Sequence, residues 1–120
     1  ILDWELSTLG SPIADFTYHM MAWRLPVGAK GLGILGANLK ELNIPPEEEY
    51  AELYYKRTGR NKIDNWDFFI AYNIFRLAGI TQGIAGRVRD GTAASSEARN
   101  YGDFVPILGK LGWDIVKNIK

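Results

Sequence analysis

The sequence predicts a mainly α-helical chain, and three observations carry that reading. Apolar residues recur at spacings of three and four in several segments, the period of a helix with one buried face. Proline and glycine stand at the ends of those segments, where helices start and stop. Only Ile1-Leu2-Asp3-Trp4-Glu5 reads as a strand, an apolar pair running into a carboxylate. A lone strand cannot satisfy its backbone groups. The stub is therefore expected to be the end of a strand begun upstream, and the chain a fragment.

Each helix follows from local signals. Ser11-Pro12 opens the first: the serine hydroxyl is expected to cap orphan N–H groups, and proline suits the first helical position. That helix should reach about Arg24, end before Pro26 and bury Ile13, Phe16, Met20 and Trp23. Residues 26–36 are rich in glycine and predict an irregular surface loop, and a short helical turn is expected over 37–42. The second helix opens at Pro46 or Glu47 and ends near Thr58-Gly59. Glu47, Glu48 and Glu49 fill its first turn, and Lys56 and Arg57 its last, as the helix dipole favours.

The longest helix should run from near Asn65 to about Asp90, with Gly91 beyond it. Trp66, Ile70, Leu77, Ile84 and Val88 mark one face. Phe68, Phe69, Tyr72, Ile74 and Phe75 make its first half apolar nearly all round, which predicts a central, buried helix. A small-residue linker over 93–96 leads to a last helix from about Glu97 to Val116, which Pro106 is expected to kink or delay.

Composition narrows the function classes. With 120 residues, 47% of them hydrophobic and 23% charged, the chain fits one globular domain. Its 14 basic and 14 acidic side chains cancel, which argues against a general nucleic-acid binder. Without cysteine there is no disulfide framework, thiolate metal site or cysteine nucleophile. No apolar run approaches the ~20 residues that cross a bilayer, and the opening residues do not read as a signal peptide. No membrane partner is expected, and an intracellular, cytoplasmic setting fits.

Several residues are candidates for chemistry. On a strand, Asp3 and Glu5 face the same way and together present an oxygen-rich site for a hard cation such as Mg²⁺. Spacing alone favours the plainer reading, two solvated acids at a strand end. Gly31-Leu32-Gly33-Ile34-Leu35-Gly36 spells a dinucleotide-binding glycine pattern, but the strand before it and the βαβ context are missing, so a loop is expected. His19, the single histidine, reads as structural, with no partner identifiable by spacing. Arg76 and Gln82 lie on the apolar helix; Arg76 is expected to pair with Asp15 or Asp67, or else to contact an anionic substrate. Asn65 or Asp64 can cap that helix, and Trp66 either packs or lines a pocket.

The run Asp3-Trp4-Glu5-Leu6-Ser7-Thr8-Leu9-Gly10-Ser11-Pro12-Ile13-Ala14-Asp15-Phe16 resembles the D-W-E-x-x-x-x-G-D-P-x-x-D-L segment of the aminoglycoside phosphotransferase family, small-molecule kinases with a protein-kinase-like fold. Ile44-Pro45 through Glu49-Tyr50, Arg57-Thr58-Gly59-Arg60, Asn65-Trp66-Asp67-Phe68 and the run from Phe75 to Ile84 resemble one subgroup. That subgroup is the phosphotransferase domain associated with acyl-CoA dehydrogenase family members 10 and 11. The resemblance implies that the chain is the helical part of a kinase-like C-terminal lobe, with an N-terminal strand stub.

It further implies that Asp3 takes the place of the metal-holding Asp of the kinase D-F-G triplet, binding Mg²⁺ that bridges the phosphates of ATP. Glu5 and Asp15 take supporting positions, and Ser11 replaces an Asp common in the family. Trp66, Tyr72 and Arg76 are candidates for the substrate pocket. The catalytic loop H-x-D-x-x-x-x-N and the nucleotide-binding lobe would lie upstream of Ile1, and the isolated chain is expected to be inactive. The implied partners are that missing part of the domain and a small-molecule hydroxyl acceptor, a hydroxyacyl-CoA ahead of an aminoglycoside. The rival reading is a non-catalytic helical binding module descended from such a kinase.

Overall fold

The computed structural model describes residues 7–28 and 32–119, at 96 and 97 for the backbone alone. Four α-helices carry the fold: α1 (Pro12–Met20), α2 (Glu47–Thr58), α3 (Trp66–Arg89) and α4 (Phe104–Val116). A 3₁₀ turn, Met21–Trp23, prolongs α1, and another, Ser96–Tyr101, precedes α4. The expected strand stub lies outside the described residues.

Helix boundaries follow the punctuation. Proline sits in the first turn of α1, Gly59 closes α2 in the left-handed conformation, and Gly91 lies just past α3 with φ 71°. Two capping expectations fail. Neither the Ser11 hydroxyl nor a side chain at Asn65 caps its helix. Ser11 is exposed, so its neighbouring N–H groups have water available instead. Residues 37–43 form turns rather than a helix. Pro106 delays the last helix: α4 starts at Phe104, which puts the proline in the first turn, where its missing N–H costs no helical bond.

The main core joins Met20, Met21, Trp23 and Leu25 to Ile70, Ile74 and Leu77 of α3 and Leu108 of α4. Gly112 lets α4 approach α3 closely, since a Cβ there would sit 3.4 Å from Ile74 Cγ2. A second cluster gathers Ile13 of α1 with Ala51 and Tyr55 of α2. Buried polar groups join α1 to α3: the Asn73 amide donates to the Ala14 carbonyl and to Thr17 Oγ1, each at 2.9 Å. Thr17 in turn donates to the Ile13 carbonyl at 2.6 Å.

The expectation of a helix buried all round is corrected for α3. Phe68, Tyr72 and Phe75 are 55%, 48% and 77% exposed. Their spacing of four and three makes a stripe of its own. The core takes the stripe holding Ile70, Ile74, Leu77 and Thr81, and the aromatic stripe stands open among the described residues.

The glycine-rich segment is tied down where it is described. Pro26 and Leu35 form an isolated parallel bridge, and the Leu35 N–H donates to the Leu25 carbonyl at 2.9 Å. A Cβ on Gly33 would fall 2.2 Å from the Pro26 carbonyl oxygen, so this position admits no side chain without backbone movement. Its glycine therefore answers to close backbone packing. No helix among the described residues is long and apolar enough to cross a membrane.

Candidate functional site

Three chain segments meet at one charged side chain. Arg24 follows the first 3₁₀ turn, Glu47 opens α2, and Trp66 and Asp67 open α3. The Arg24 Nε donates to Glu47 Oε2, and its Nη2 donates to Asp67 Oδ1 at 3.3 Å. Trp66 Nε1 donates to the other Glu47 oxygen, Oε1, at 2.7 Å. The hydrogen bond to Glu47 raises the Arg24 guanidinium above its ordinary range. Burial opposes that rise, and the charges of Glu47, Asp67 and Glu48 add to it. Arg24 thus stays cationic at any working pH.

Aromatic packing fixes the same corner. Phe16 stacks on Tyr54 with ring centroids 3.8 Å apart and meets Trp66 edge-on at 5.9 Å. Tyr55 meets Trp66 at 6.4 Å, and burial pushes its phenol above the ordinary value. His19 is exposed and lies between Trp23 and Tyr50 at 5.7 and 5.5 Å, in keeping with a structural role.

Beside this corner opens a cavity of about 450 Å³, within the range of small-molecule sites. Tyr55, Ile63, Trp66 and Phe68 give it apolar walls. Arg24, Glu47, Lys62 and Asp67 add charged groups to the lining, and Asn118 and Ile119 reach it from beyond α4. Glu48, Glu52 and Asp64 also line it, without an ion-pair partner among the described residues. Aromatic walls with several charged groups in the lining suit a small ligand that is part apolar and part polar.

Trp66 is the expected pocket residue that the structure places on this cavity. Tyr72 and Arg76 are exposed and are not part of its lining. The expected ion pair of Arg76 with Asp15 or Asp67 is corrected. The guanidinium instead lies 5.1 Å from the centroid of the Tyr18 ring. Asp67 stands nine residues away, roughly 13 Å along the helix axis, and is engaged by Arg24. Asp15 and Gln82 are exposed. Asp3 and Glu5, the expected metal-site residues, lie outside the described residues. Among the described residues no three metal-ligating side chains cluster.

Sequence reasoning missed Arg24 and Glu47. Glu47 reads as one of three acids favoured by a helix start, and Arg24 as a residue at a helix end. Their 23-residue separation follows no spacing rule, so only the tertiary fold brings them together.

Comparison with known proteins places the chain. No family model matches it. It is 41% identical over 115 residues to acyl-CoA dehydrogenase family member 10 of Mus musculus, covering 95% of this chain and 11% of the relative. It is 32% identical to member 11 of Homo sapiens, covering 98% of this chain and 15% of the relative. A solved structure from Ralstonia eutropha, of a protein assigned provisionally as an aminoglycoside phosphotransferase, superposes with a TM-score of 0.89 at 46% identity. That match covers all of this chain and 36% of the solved one. The chain thus spans a minor part of each relative's length.

Proposed function

We propose, for a chain whose kinship lies with the aminoglycoside phosphotransferase family and with acyl-CoA dehydrogenase family members 10 and 11, that it forms the helical part of an ATP-dependent small-molecule phosphotransferase. The observation that supports this best is the likeness over the whole chain to the Ralstonia structure, at an identity high enough to carry more than fold. The phosphotransferase-like helical lobe itself follows directly from that match.

In this reading Asp3 holds magnesium. A single carboxylate suits that ion, which binds few protein ligands and completes its shell with water and phosphate oxygens. Held by Asp3, magnesium would supply charge neutralisation for the transferring phosphoryl group of ATP. Glu5 and Asp15 support that site. The cavity beside Trp66 forms one wall for the acceptor, whose hydroxyl receives the phosphoryl group. Similarity to acyl-CoA dehydrogenase family members favours a hydroxyacyl thioester as acceptor, ahead of an aminoglycoside. In this reading the base that takes the hydroxyl proton and the nucleotide lobe would be supplied by the part of such a phosphotransferase that this chain does not span.

The test uses the complete protein with ATP, magnesium and both acceptor classes. Asp3→Ala should lower phosphorylation by about a thousandfold or more, the scale expected when a group stabilising transition-state charge is lost. Retained activity would overturn the metal assignment. Binding of an acceptor by a wild-type protein that transfers no phosphate would favour the non-catalytic module.

A further inference from the structure

We infer that Glu47 is a positioning residue for the acceptor, holding the Trp66 indole as the wall against which the acceptor packs; this rests on the phosphotransferase reading above.

The argument starts from what an acid at a helix start needs. Favouring the α2 dipole requires only a carboxylate in the first turn, and Glu48 and Glu49 supply that while exposed. Glu47 is turned inward instead. Its side chain is 13% exposed and both of its oxygens are engaged, one by Arg24 and one by Trp66. Burying a charged pair stabilises a fold little compared with apolar packing of the same volume. A fully engaged carboxylate in the lining of a cavity therefore points to a role beyond stability.

Geometry supplies one. Indole has a single donor, Nε1–H, and Glu47 Oε1 accepts it at 2.7 Å. Phe16 and Tyr55 meet the ring edge-on. With its N–H pinned and these rings against it, Trp66 can neither flip nor swing. Trp66 also lines the cavity, so its tilt sets the cavity's shape. Arg24 fixes the carboxylate from the other side, and Asp67 completes the clamp on Arg24. Glu47 thus acts on the acceptor through Trp66, across three segments that the backbone alone does not lock together.

Kinetics on the complete protein separate this role from a structural one. Glu47→Gln and Trp66→Phe are made singly and together and assayed with ATP–Mg²⁺, using hydroxybutyryl-CoA and kanamycin as acceptors. Each single change should raise the acceptor KM by about tenfold, the scale of one lost charge-assisted hydrogen bond. The kcat and the KM for ATP should stay within about twofold, and the double variant should be no worse than either single one. An equal rise in both KM values, no rise, or additive losses would overturn the inference. Should Glu47→Gln fail to fold, Trp66→Phe carries the same expectation. Should wild type phosphorylate neither probe, the phosphotransferase reading fails by itself. The positioning is then decided by exchange of the Trp66 indole proton, which Glu47→Gln should accelerate by about tenfold and which, left unchanged, would refute it.

Discussion

Helices α2 and α4 are both held near α3, by different means. Between α4 and α3 the attachment is apolar. Leu108 is fully buried, Gly112 fits against Ile74, and the ion pairs of α4 run along its own surface, from Asp114 to Lys110 and Lys117. Helix α2 adds to its small apolar cluster of Ala51 and Tyr55 with Ile13 a set of oriented side-chain contacts between segments: Glu47 on Arg24 and Trp66, and Tyr54 stacked on Phe16. Apolar contact resists displacement in general but specifies few angles. Crossing hydrogen bonds and stacked rings fix orientation. The region beside the cavity is built in the second way, where orientation matters most.

The sharpest break of this contrast is Leu108→Ala. Truncating a fully buried leucine should cost about 3 kcal/mol, as a lower denaturant midpoint for the whole chain. Phe16→Ala comes next. Losing the stack on Tyr54 and the edge contact with Trp66 should cost about 2 kcal/mol. Its signature is spatial: hydrogen exchange should quicken in α2 while α4 keeps its protection. Equal quickening in both helices would show that the two attachments are not separate.

The smallest effect concerns Asp114, whose carboxyl is pulled from 3.8 down to about 2 by its hydrogen bonds from Lys110 and Lys117. A carboxylate depressed in the folded state adds stability above its unfolded value and loses it as pH falls through the folded one. The contribution should therefore fade between pH 3.8 and about 2. Asp114→Asn should flatten the melting-temperature profile in that window, and high salt should shrink the difference, because the group is exposed.

Local chemistry made much of the fold legible. The bounds of α2 and α3 followed from Pro46, Gly59 and Gly91, because helix ends are decided within a few residues. The stripe Ile13, Phe16, Met20 and Trp23 was readable for the same reason. Which apolar stripe of α3 would be covered was not, since periodicity identifies apolar faces without saying what lies against them. Asn73 as the buried link to α1 was equally out of reach, its partners lying 56 and 59 residues away. Of the site, Trp66 could be nominated from its place at a helix start. Glu47 and Arg24 could not, because their roles exist only once three segments converge.

Gly33 lies against the backbone of the two residues that follow Arg24. A side chain placed at Gly33 would therefore push on the backbone beside Arg24 without touching its guanidinium. Anyone reshaping the loop to alter surface properties would thereby disturb the corner where Arg24, Glu47 and Trp66 meet. Residues 40–43, a run of exposed turns, offer the safer place to graft a tag or insertion.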